Sequence, residues 1–261
     1  MDRETEKITS TSNSQVKRLI SLKNKASFRK KEGVFIVEGI KMYKEIPEDR
    51  IEAIYIEEKF LELYKNVIKE KYIIVSENVF KQISDTVTPQ GILIVVRQQA
   101  YKLDEILKKS KKQLFIILDN LQDPGNLGTI IRTAEGAGVS GVIAGKSTVD
   151  LYNPKVIRST MGSVFRVPFI MAENLEEAID YLKENGVSVY AAHLHGKSYY
   201  DNENYNESTA FIIGNESNGV TDKIAAKADK LIRIPMCGKL ESLNAAVAAA
   251  ILMYEAKKKM D

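Results

Sequence analysis

Apolar and polar positions alternate on two length scales over the first hundred residues. Short runs rich in Val, Ile, Phe and Tyr predict strands at residues 33–37, 51–56, 72–75 and 91–97. Between these runs, apolar residues recur every three or four positions, which predicts helices at residues 14–25, 38–45, 58–71 and 77–84. Alternating strands and helices indicate a small α/β domain over residues 1–100.

The pattern changes after residue 100. Residues 101–112 are polar and basic, and they predict a linker that carries one short helix. The run LFIILDN, which starts at Leu114, suits a strand that is buried on both faces. Further strands are predicted at residues 141–144, 187–192, 210–213 and 231–234, and helices at residues 127–137, 175–184 and 243–258. Residues 113–261 therefore predict a mostly parallel α/β sheet covered by helices on both sides.

Residues with known capping preferences stand at the ends of the predicted C-terminal helices. Asn126 and Asn174 precede helical patterns and are predicted N-caps, because their side chains accept hydrogen bonds from first-turn amides. Gly138 and Gly186 follow the same two patterns and are predicted to end them.

The composition excludes several classes of protein. There are 261 residues, 44% of them apolar, but no uncharged apolar run is long enough to span a membrane. The N-terminal residues lack the apolar core of a secretory signal. Cys237 is the single cysteine, which excludes a disulfide framework and any multi-cysteine metal site. We therefore expect a cytoplasmic protein without a bound metal.

Positive charge is concentrated near the N-terminus. The net charge of +3 is too small to indicate a polyanionic partner. The stretch from residue 17 to residue 31, however, holds seven cations and no acid: Lys17, Arg18, Lys23, Lys25, Arg29, Lys30 and Lys31. Such a patch is suited to neutralising phosphates, and it is equally typical of a solvated helix face. The sequence alone leaves both interpretations open.

In an open α/β sheet, ligands bind beyond the C-terminal ends of the strands, so the loops after the strands are the candidates for chemistry. The first, LDNLQDPGNLGTIIRTAEGAG, places Arg132 on an otherwise apolar helix, where it needs a partner or a ligand. The second, FIIGNESNGV, brings Gly214 to a strand tip, and Glu216 follows. A glycine there lets a ligand approach the backbone closely.

The third loop opens the stretch IPMCGKLESLNAAVAAAILMYE, residues 234–255. Pro235 ends a strand because it lacks an N–H donor, and Gly238 permits an unusual turn. Ser242 or Asn244 can cap the helix that follows. The small residues at 245–250 let another backbone come close, which suits packing on the sheet or on a second subunit.

Taken together, these three stretches resemble the motifs of the SpoU family of RNA 2′-O-ribose methyltransferases, within the SPOUT superfamily. The motifs stand here as NLGTIIRTAEGAG, FIIGNESNG and IPMCGKLESLNAAVAAAI. RKKEGVFIVEG and TPQGILIVV, both before residue 100, resemble the small substrate-binding domain often fused to these enzymes. The resemblance covers essentially the whole chain. Ser217 stands where the family usually has Gly, and Ala245-Ala246 where it usually has Val-Ser.

The resemblance implies a fold, a reaction and an assembly. The implied fold is a small N-terminal α/β RNA-binding domain (1–100), a linker (101–112) and a C-terminal knotted, trefoil, mostly parallel α/β domain (113–261). The implied reaction is methyl transfer from S-adenosylmethionine to a ribose 2′-hydroxyl, most simply in large-subunit (23S) ribosomal RNA. The implied assembly is a homodimer formed through the C-terminal helix.

The resemblance also assigns residues to roles. The cofactor-binding positions are Gly214, Ile234, Met236 and Leu243. The catalytic positions are Arg132, Asn126, Glu216, Ser242 and Asn244. Because a guanidinium stays protonated, we expect Arg132 to stabilise the developing alkoxide and hold an RNA phosphate rather than to act as a base. The N-terminal RNA-binding candidates are Lys17, Arg18, Arg29, Lys30 and Lys31.

The same residues bear on three other functions. A dinucleotide-dependent oxidoreductase is disfavoured because DNLQDPGNLG lacks the Gly-x-Gly-x-x-Gly fingerprint. A tRNA 2′-O-methyltransferase and a non-catalytic RNA-binding assembly factor remain alternatives, although the intact polar positions argue against a decayed site. His193 and His195 lack a third metal ligand nearby. The tyrosines at 199, 200 and 205 could stack on bases, and loop packing is the favoured interpretation.

Overall fold

The computed structural model describes residues 4–108, 112–205 and 207–260. Contacts divide the chain into two compact units. The first comprises the described residues up to Gln99 together with Tyr152–Phe165, and the second comprises Ala100–Leu151 and the residues from Arg166 onward. Within the part of the chain that the structure describes, no helix is both long and apolar enough to cross a membrane.

The described residues up to position 100 form five strands and five short helices. The strands are β1 (Glu4–Ile8), β2 (Val34–Glu38), β3 (Ile51–Glu57), β4 (Tyr72–Val75) and β5 (Ile92–Arg97). The helices are α1 (Ser14–Asn24), α2 (Ala26–Glu32), α3 (Ile40–Tyr43), α4 (Leu61–Tyr64) and α5 (Glu77–Ile83), with short 3₁₀ turns at Glu48–Arg50 and Glu58–Phe60.

The rest of the chain supplies seven strands and six helices among the described residues. The strands are β6 (Leu114–Leu118), β7 (Gly141–Gly145), β8 (Phe169–Ala172), β9 (Ser188–Ala192), β10 (Ser198–Tyr199), β11 (Thr209–Ile213) and β12 (Lys230–Arg233). The helices are α6 (Leu103–Leu107), α7 (Pro124–Gly136), α8 (Pro154–Thr160), α9 (Leu175–Glu184), α10 (Asp222–Ala225) and α11 (Ala245–Met260). The 3₁₀ turns here are Ser163–Phe165 and Tyr200–Asn202.

The first unit is built on a five-stranded mixed sheet in the order β1-β4-β3-β5-β2. Strands β1, β4 and β3 run parallel to one another, whereas β5 pairs antiparallel with both β3 and β2. Val16, Leu19 and Leu22, at helical spacing on α1, pack with the buried residues of α5 and the sheet into one core. Aromatic packing holds Tyr152–Phe165 in this unit, since the rings of Phe35 and Tyr152 lie 4.6 Å apart.

The contacts of the segment Tyr152–Phe165 place it in a different unit from the one that the sequence pattern predicts. The pattern assigns these residues to the domain at 113–261, whereas their contacts group them with the first unit. In the predicted linker, α6 supplies the short helix, and residues 109–111 lie outside the described residues.

The second unit is built on a seven-stranded sheet in the order β10-β12-β9-β11-β6-β7-β8, and every strand pairing described in it is parallel. All residues of β6, β7 and β11 are buried, which explains why these strands read as continuous apolar runs. Helices α9 and α10 contribute to the core on one face, and α11 packs against α7, β6 and β11. The mostly parallel α/β fold expected from the sequence is confirmed.

Helix starts and short elements differ from the sequence pattern. Asp123, not Asn126, is the N-cap of α7: its Oδ1 accepts a hydrogen bond from the Asn126 N–H at 2.7 Å. Pro124 follows at the first helical position, which tolerates proline because that N–H has no helical partner. Asn174 caps α9 as predicted. The helix predicted over 58–71 is only a 3₁₀ turn followed by α4. The elements without a prediction are β1, β8, β10, α2, α8 and α10.

Candidate active site

Three loops leave the C-terminal edge of the seven-stranded sheet and meet there. Because β11 and β6 are parallel and register Ile213 against Leu118, the loops that follow them start side by side. The Asp119 N–H donates to the Ile213 carbonyl at 2.9 Å and extends this pairing by one residue. The third loop, residues 234–244, runs from β12 to α11.

Three side chains from these loops form a chain of hydrogen bonds, here called the amide relay: Asn244, Asn126 and Glu216. Asn244 Nδ2 donates to Asn126 Oδ1 at 2.9 Å. Asn126 Nδ2 donates in turn to Glu216 Oε1 at 3.0 Å. The relay joins positions 118 residues and 90 residues apart in sequence, one from each loop.

At each end of the amide relay, the partner group can act only as a donor or only as an acceptor of hydrogen bonds. At one end, Asn244 Oδ1 accepts from the backbone N–H groups of Ala246 at 2.9 Å and Val247 at 3.3 Å, so Asn244 is the N-cap of α11. At the other end stands the Glu216 carboxylate, which only accepts when ionised. The two carboxamides between them therefore have one self-consistent orientation. Of the two predicted caps, Asn244 holds this position and Ser242 does not.

Glu216 is held by donors from the loop after β6. Its carboxylate accepts from the backbone N–H of Gln122 at 3.2 Å and of Asp123 at 2.9 Å, in addition to Asn126. Partial burial raises the pKa of Glu216, but the hydrogen bonds from Asn126 and from these amides outweigh it, so the pKa lies below its ordinary value. Glu216 is therefore an ionised anchor and a poor proton acceptor.

The loop that carries Glu216 is a tight hairpin. Asn215 and Gly219 exchange backbone hydrogen bonds, and both are 2.9 Å long. A Cβ atom at Gly214 would lie 2.0 Å from the Gly219 carbonyl carbon, so glycine is required here by the chain's own backbone. This adds a structural reason for glycine to the sequence-based one, which was close approach of a ligand to the backbone. Asp119 Oδ2 ties the end of the hairpin by accepting from the N–H and hydroxyl of Thr221, each at 2.8 Å.

A cavity of about 890 Å³ opens beside this hairpin. All four predicted cofactor positions line it: Gly214, Ile234, Met236 and Leu243. Two of the predicted catalytic positions, Glu216 and Ser242, line it as well. Asn126 and Asn244 are outside the lining, and hydrogen bonds connect them to Glu216, which lines it. The volume and the mixture of apolar side chains with a few polar groups are typical of a small-molecule site.

Arg132 is the one predicted catalytic residue that lies apart. It is exposed on α7, and no hydrogen bond or ion pair joins it to any described residue. A Cβ at Gly136, one helical turn further on, would lie 3.0 Å from the Tyr254 hydroxyl of α11. Arg132 thus lies on the same face as Tyr254, which is 53% exposed. Val247, seven residues before Tyr254 on α11, is on this face as well and is 48% exposed.

The structure separates the predicted RNA-binding residues into two groups. Lys17, Lys30 and Lys31 are exposed to solvent. Arg29 is only 3% exposed, because its guanidinium donates to the Leu22 and Lys23 carbonyls at the end of α1, at 2.6 and 3.1 Å. Its prediction as a phosphate ligand is therefore corrected to a structural role.

Arg18 is also engaged within the first unit. Its guanidinium forms ion pairs with Glu32 at 3.1 Å and with Glu52 at 2.9 Å. Neither partner lies within the acid-free stretch 17–31: Glu32 directly follows it, and Glu52 comes from β3. The stretch alone therefore did not reveal them.

Sequence analysis also missed part of the cavity wall. His193, Leu194, His195, Tyr199 and Arg233 line it. The available signal was their position after β9 and at the end of β12, the same sheet edge that supplies the other lining residues. Among the described residues, no group of three or more His, Cys, Asp or Glu side chains is arranged to hold a metal. Elsewhere in this region, Tyr205 is fully buried against two aromatic rings, as loop packing predicts.

Comparison with known proteins gives matches over both units. The model of the SpoU rRNA Methylase family matches residues 113–254, and that of the MRM3-like substrate binding domain matches residues 13–94. The chain is 42% identical over 179 residues, 69% of each protein, to the 23S rRNA (guanosine(2553)-2′-O)-methyltransferase RlmP of Bacillus subtilis (strain 168).

Two solved structures are similar over nearly the whole chain. An AdoMet-bound rRNA methyltransferase from Sinorhizobium meliloti has a TM-score of 0.86 at 32% identity and covers 100% of both chains. The SpoU methyltransferase AviRb from Streptomyces viridochromogenes, in complex with AdoMet, has a TM-score of 0.85 at 25% identity and covers 95% of this chain and 98% of its own.

Proposed function

We propose that the substrate of this protein is large-subunit (23S) ribosomal RNA in the cytoplasm. The chain belongs to the SpoU rRNA methylase family and is an S-adenosylmethionine-dependent RNA 2′-O-ribose methyltransferase. The amide relay beside the cavity carries this proposal for the site, because it brings three distant motif positions into one arrangement. The substrate class rests on RlmP and the rRNA methyltransferase from S. meliloti, whose names state rRNA.

The cofactor fits the cavity beside the 215–219 hairpin. Ile234 and Leu243 offer apolar surface for an adenine ring, and the backbone near Gly214 and Met236 offers hydrogen bonds. When bound, S-adenosylmethionine would supply a methyl group activated by its sulfonium: the bond to the ribose oxygen would form as the sulfur–carbon bond breaks, S-adenosylhomocysteine would leave, and the hydroxyl proton would pass to water or an RNA phosphate oxygen. The work left to the protein is alignment of the ribose and stabilisation of charge.

The residues around the cavity suit that work in different ways. Glu216 is ionised and occupied by three donors, so it positions its loop and does not take the proton. Asn126 and Asn244 fix the orientation of Glu216, and Ser242 faces the cavity with a hydroxyl that can align the ribose. Arg132 remains the group suited to stabilising the alkoxide or holding a phosphate.

The position of Arg132 favours a homodimer through α11. The face that it shares with Val247 and Tyr254 is apolar, exposed and next to an unpaired guanidinium. Apolar surface of this kind is buried when two copies associate. We expect Tyr254→Lys to give a monomer in light scattering and to lose methyl transfer. A Tyr254→Lys protein that remains a dimer would place the interface elsewhere.

We further propose that the second unit is knotted. The loops after β9 and β11 and the 234–244 segment line one cavity, and the chain passes close to itself at Gly196. A Cβ there would lie 2.6 Å from the Ile232 carbonyl carbon. The first unit, with Lys17, Lys30 and Lys31 on its surface, is proposed to bind RNA as the domain over residues 1–100.

One experiment tests the reaction and the substrate together. Mass spectrometry should map 2′-O-methyl groups in ribosomal and transfer RNA from cells with and without the gene. We expect one site in 23S rRNA to lose its methyl group in the deletion and to regain it with the wild-type gene. The Arg132→Ala gene should not restore it. A site lost from transfer RNA instead would favour the tRNA alternative, and no lost site would favour a non-catalytic role.

A further inference from the structure

One end of the cavity has no task in the proposed reaction. His193, Leu194 and His195 line it from the loop after β9, and Tyr199 and Arg233 line it from the two edge strands. Of the four proposed cofactor positions, Gly214 and Leu243 lie on other segments, whereas Ile234 and Met236 follow Arg233 along the chain. A volume of about 890 Å³ is near the upper end of the range for small-molecule sites, which leaves room for part of a second ligand.

Tyr199 and Arg233 form a stacked pair at this end. They are register partners in the parallel strands β10 and β12. The Arg233 guanidinium lies 4.8 Å from the centre of the Tyr199 ring, and its Nη2 donates to the Tyr199 hydroxyl at 3.2 Å. The ring is 40% exposed. One ring face is therefore covered by a cation, and exposed aromatic surface remains beside it.

Arg233 has donors to spare. A guanidinium carries five N–H groups, and one of them is used on Tyr199. Of the carboxylates in the described residues, none forms an ion pair with Arg233, although Asp222 and Glu241 also line the cavity. A planar, unpaired guanidinium that a neighbour holds in place is suited to binding an anion with two oxygens.

His193 adds a second donor. Its Nδ1 accepts a hydrogen bond from the His195 backbone N–H at 3.1 Å, so neutral His193 carries its proton on Nε2. The loop is fixed where it turns, because Gly196 lies directly on the backbone at Ile232 and Arg233 and any larger residue would collide. Gly196 therefore holds the loop that carries His193 against the strand that carries Arg233, and His193, Tyr199 and Arg233 line the same cavity.

We propose that His193, Tyr199 and Arg233 form a flanking-nucleotide subsite, in which the Tyr199 ring stacks on an unpaired base next to the methylated nucleotide and Arg233 and His193 bind that nucleotide's phosphate. Stacking on aromatic side chains is how proteins bind splayed-out RNA bases. The subsite rests on the proposed function, since it names a further contact of the same RNA substrate.

The anion has a second possible source, the carboxylate of the cofactor, and the two are separable. Methyl transfer from tritiated S-adenosylmethionine to deproteinised 23S rRNA, prepared from cells that lack the gene, gives a KM for each substrate. We expect Tyr199→Ala and Arg233→Gln each to raise the KM for RNA by roughly tenfold, as loss of a stacked base or a phosphate contact does. The kcat and the KM for S-adenosylmethionine should stay within about twofold.

Matched variants separate the parts of the subsite. Tyr199→Phe keeps the ring and should stay close to wild type, and Arg233→Lys keeps the charge without the fork and should fall between wild type and Arg233→Gln. Lys223→Gln is the control, because Lys223 is already paired with Glu176. It should leave both KM values unchanged. A raised KM for S-adenosylmethionine, or an unchanged KM for RNA, would overturn the subsite.

Filter binding of the same 23S rRNA, without cofactor, keeps the test independent of turnover. The dissociation constants should follow the same order as the KM values, and the slope of log Kd against log salt should fall by about one for Arg233→Gln. A wild-type enzyme that methylates no ribose would refute the proposed function, whereas an active wild type with unchanged variants would refute the subsite alone.

Discussion

Asn244 performs two tasks with two atoms, and substitution can separate them. Its Oδ1 caps α11 through the amides of Ala246 and Val247, and its Nδ2 donates to Asn126. Asn244→Asp keeps an acceptor for the cap and removes the donor. Asn244→Ala removes both. If the amide relay matters for catalysis, the two variants should both lose activity but differ in stability.

The magnitudes follow from the contacts. Loss of an N-cap costs about 1 kcal/mol, and loss of a hydrogen bond from an exposed side chain costs at most about 1 kcal/mol. Asn244→Ala should therefore lose about 1–2 kcal/mol, which for a unit of this size lowers Tm by about 2–8 °C. In Asn244→Asp, the carboxylate gains about 0.3–1 kcal/mol at the helix N-terminus, which largely offsets the lost bond.

Activity should not follow stability in this pair. In Asn244→Asp, two acceptor oxygens face each other, so the Asn126 carboxamide must rotate and release Glu216. We expect at least a tenfold loss of kcat in both variants, measured by tritium transfer to 23S rRNA, with Tm from scanning fluorimetry. Asn174→Ala is the control, since Asn174 caps α9 through Glu176 and Glu177 without contacting the relay. Wild-type turnover in Asn244→Asp would refute the relay.

Four further outcomes are expected. Ser242→Asp should abolish methyl transfer by placing a negative charge in the cavity, yet leave Tm unchanged because Ser242 does not cap α11. Combined Lys30→Gln and Lys31→Gln should weaken rRNA binding and reduce the log–log salt slope by roughly two, with Tm unchanged. Arg29→Gln should lower Tm and leave the log–log salt slope of rRNA binding unchanged, because Arg29 is buried. The pKa of Glu216 in the folded protein lies below its ordinary value of 4.5, so ionised Glu216 stabilises the fold above pH 4.5. This contribution to stability is lost as the pH falls through the folded pKa. Glu216→Gln should therefore make Tm less dependent on pH in the acid range.

The elements that the sequence predicted well are those with strong periodic or continuous patterns. Strands β6 and β11 are apolar throughout because both of their faces are covered, and α9 is amphipathic with a capping Asn174. The elements missed were short or weakly patterned, such as β1 at the sheet edge and β8. Their formation depends on pairing with distant strands, which a local window does not contain.

The site could be predicted as a set of positions but not as a set of contacts. The three motifs identified Asn126, Glu216 and Asn244 as candidate site residues. Which of them caps a helix, however, depends on backbone geometry. Arg29 shows the same limit in the other direction. A single residue, Lys25, separates α1 from α2, and the tight turn there brings the Arg29 guanidinium back onto the Leu22 and Lys23 carbonyls. A cation in a basic stretch therefore binds two carbonyls instead of a phosphate.

The amide relay also connects the site to the proposed dimer interface. Asn244 begins α11, and Val247 and Tyr254 lie on the exposed face of the same helix. The buried face of α11 is held by α7, β6 and β11, and its other face is exposed. Fraying of the first turn would release Asn244 from Ala246 and thereby Asn126 from its fixed orientation. Burying the exposed face of α11 against a second copy would suppress that fraying. The interface and the geometry of Glu216 are therefore expected to be coupled through one helix, even where no interface residue touches the cavity.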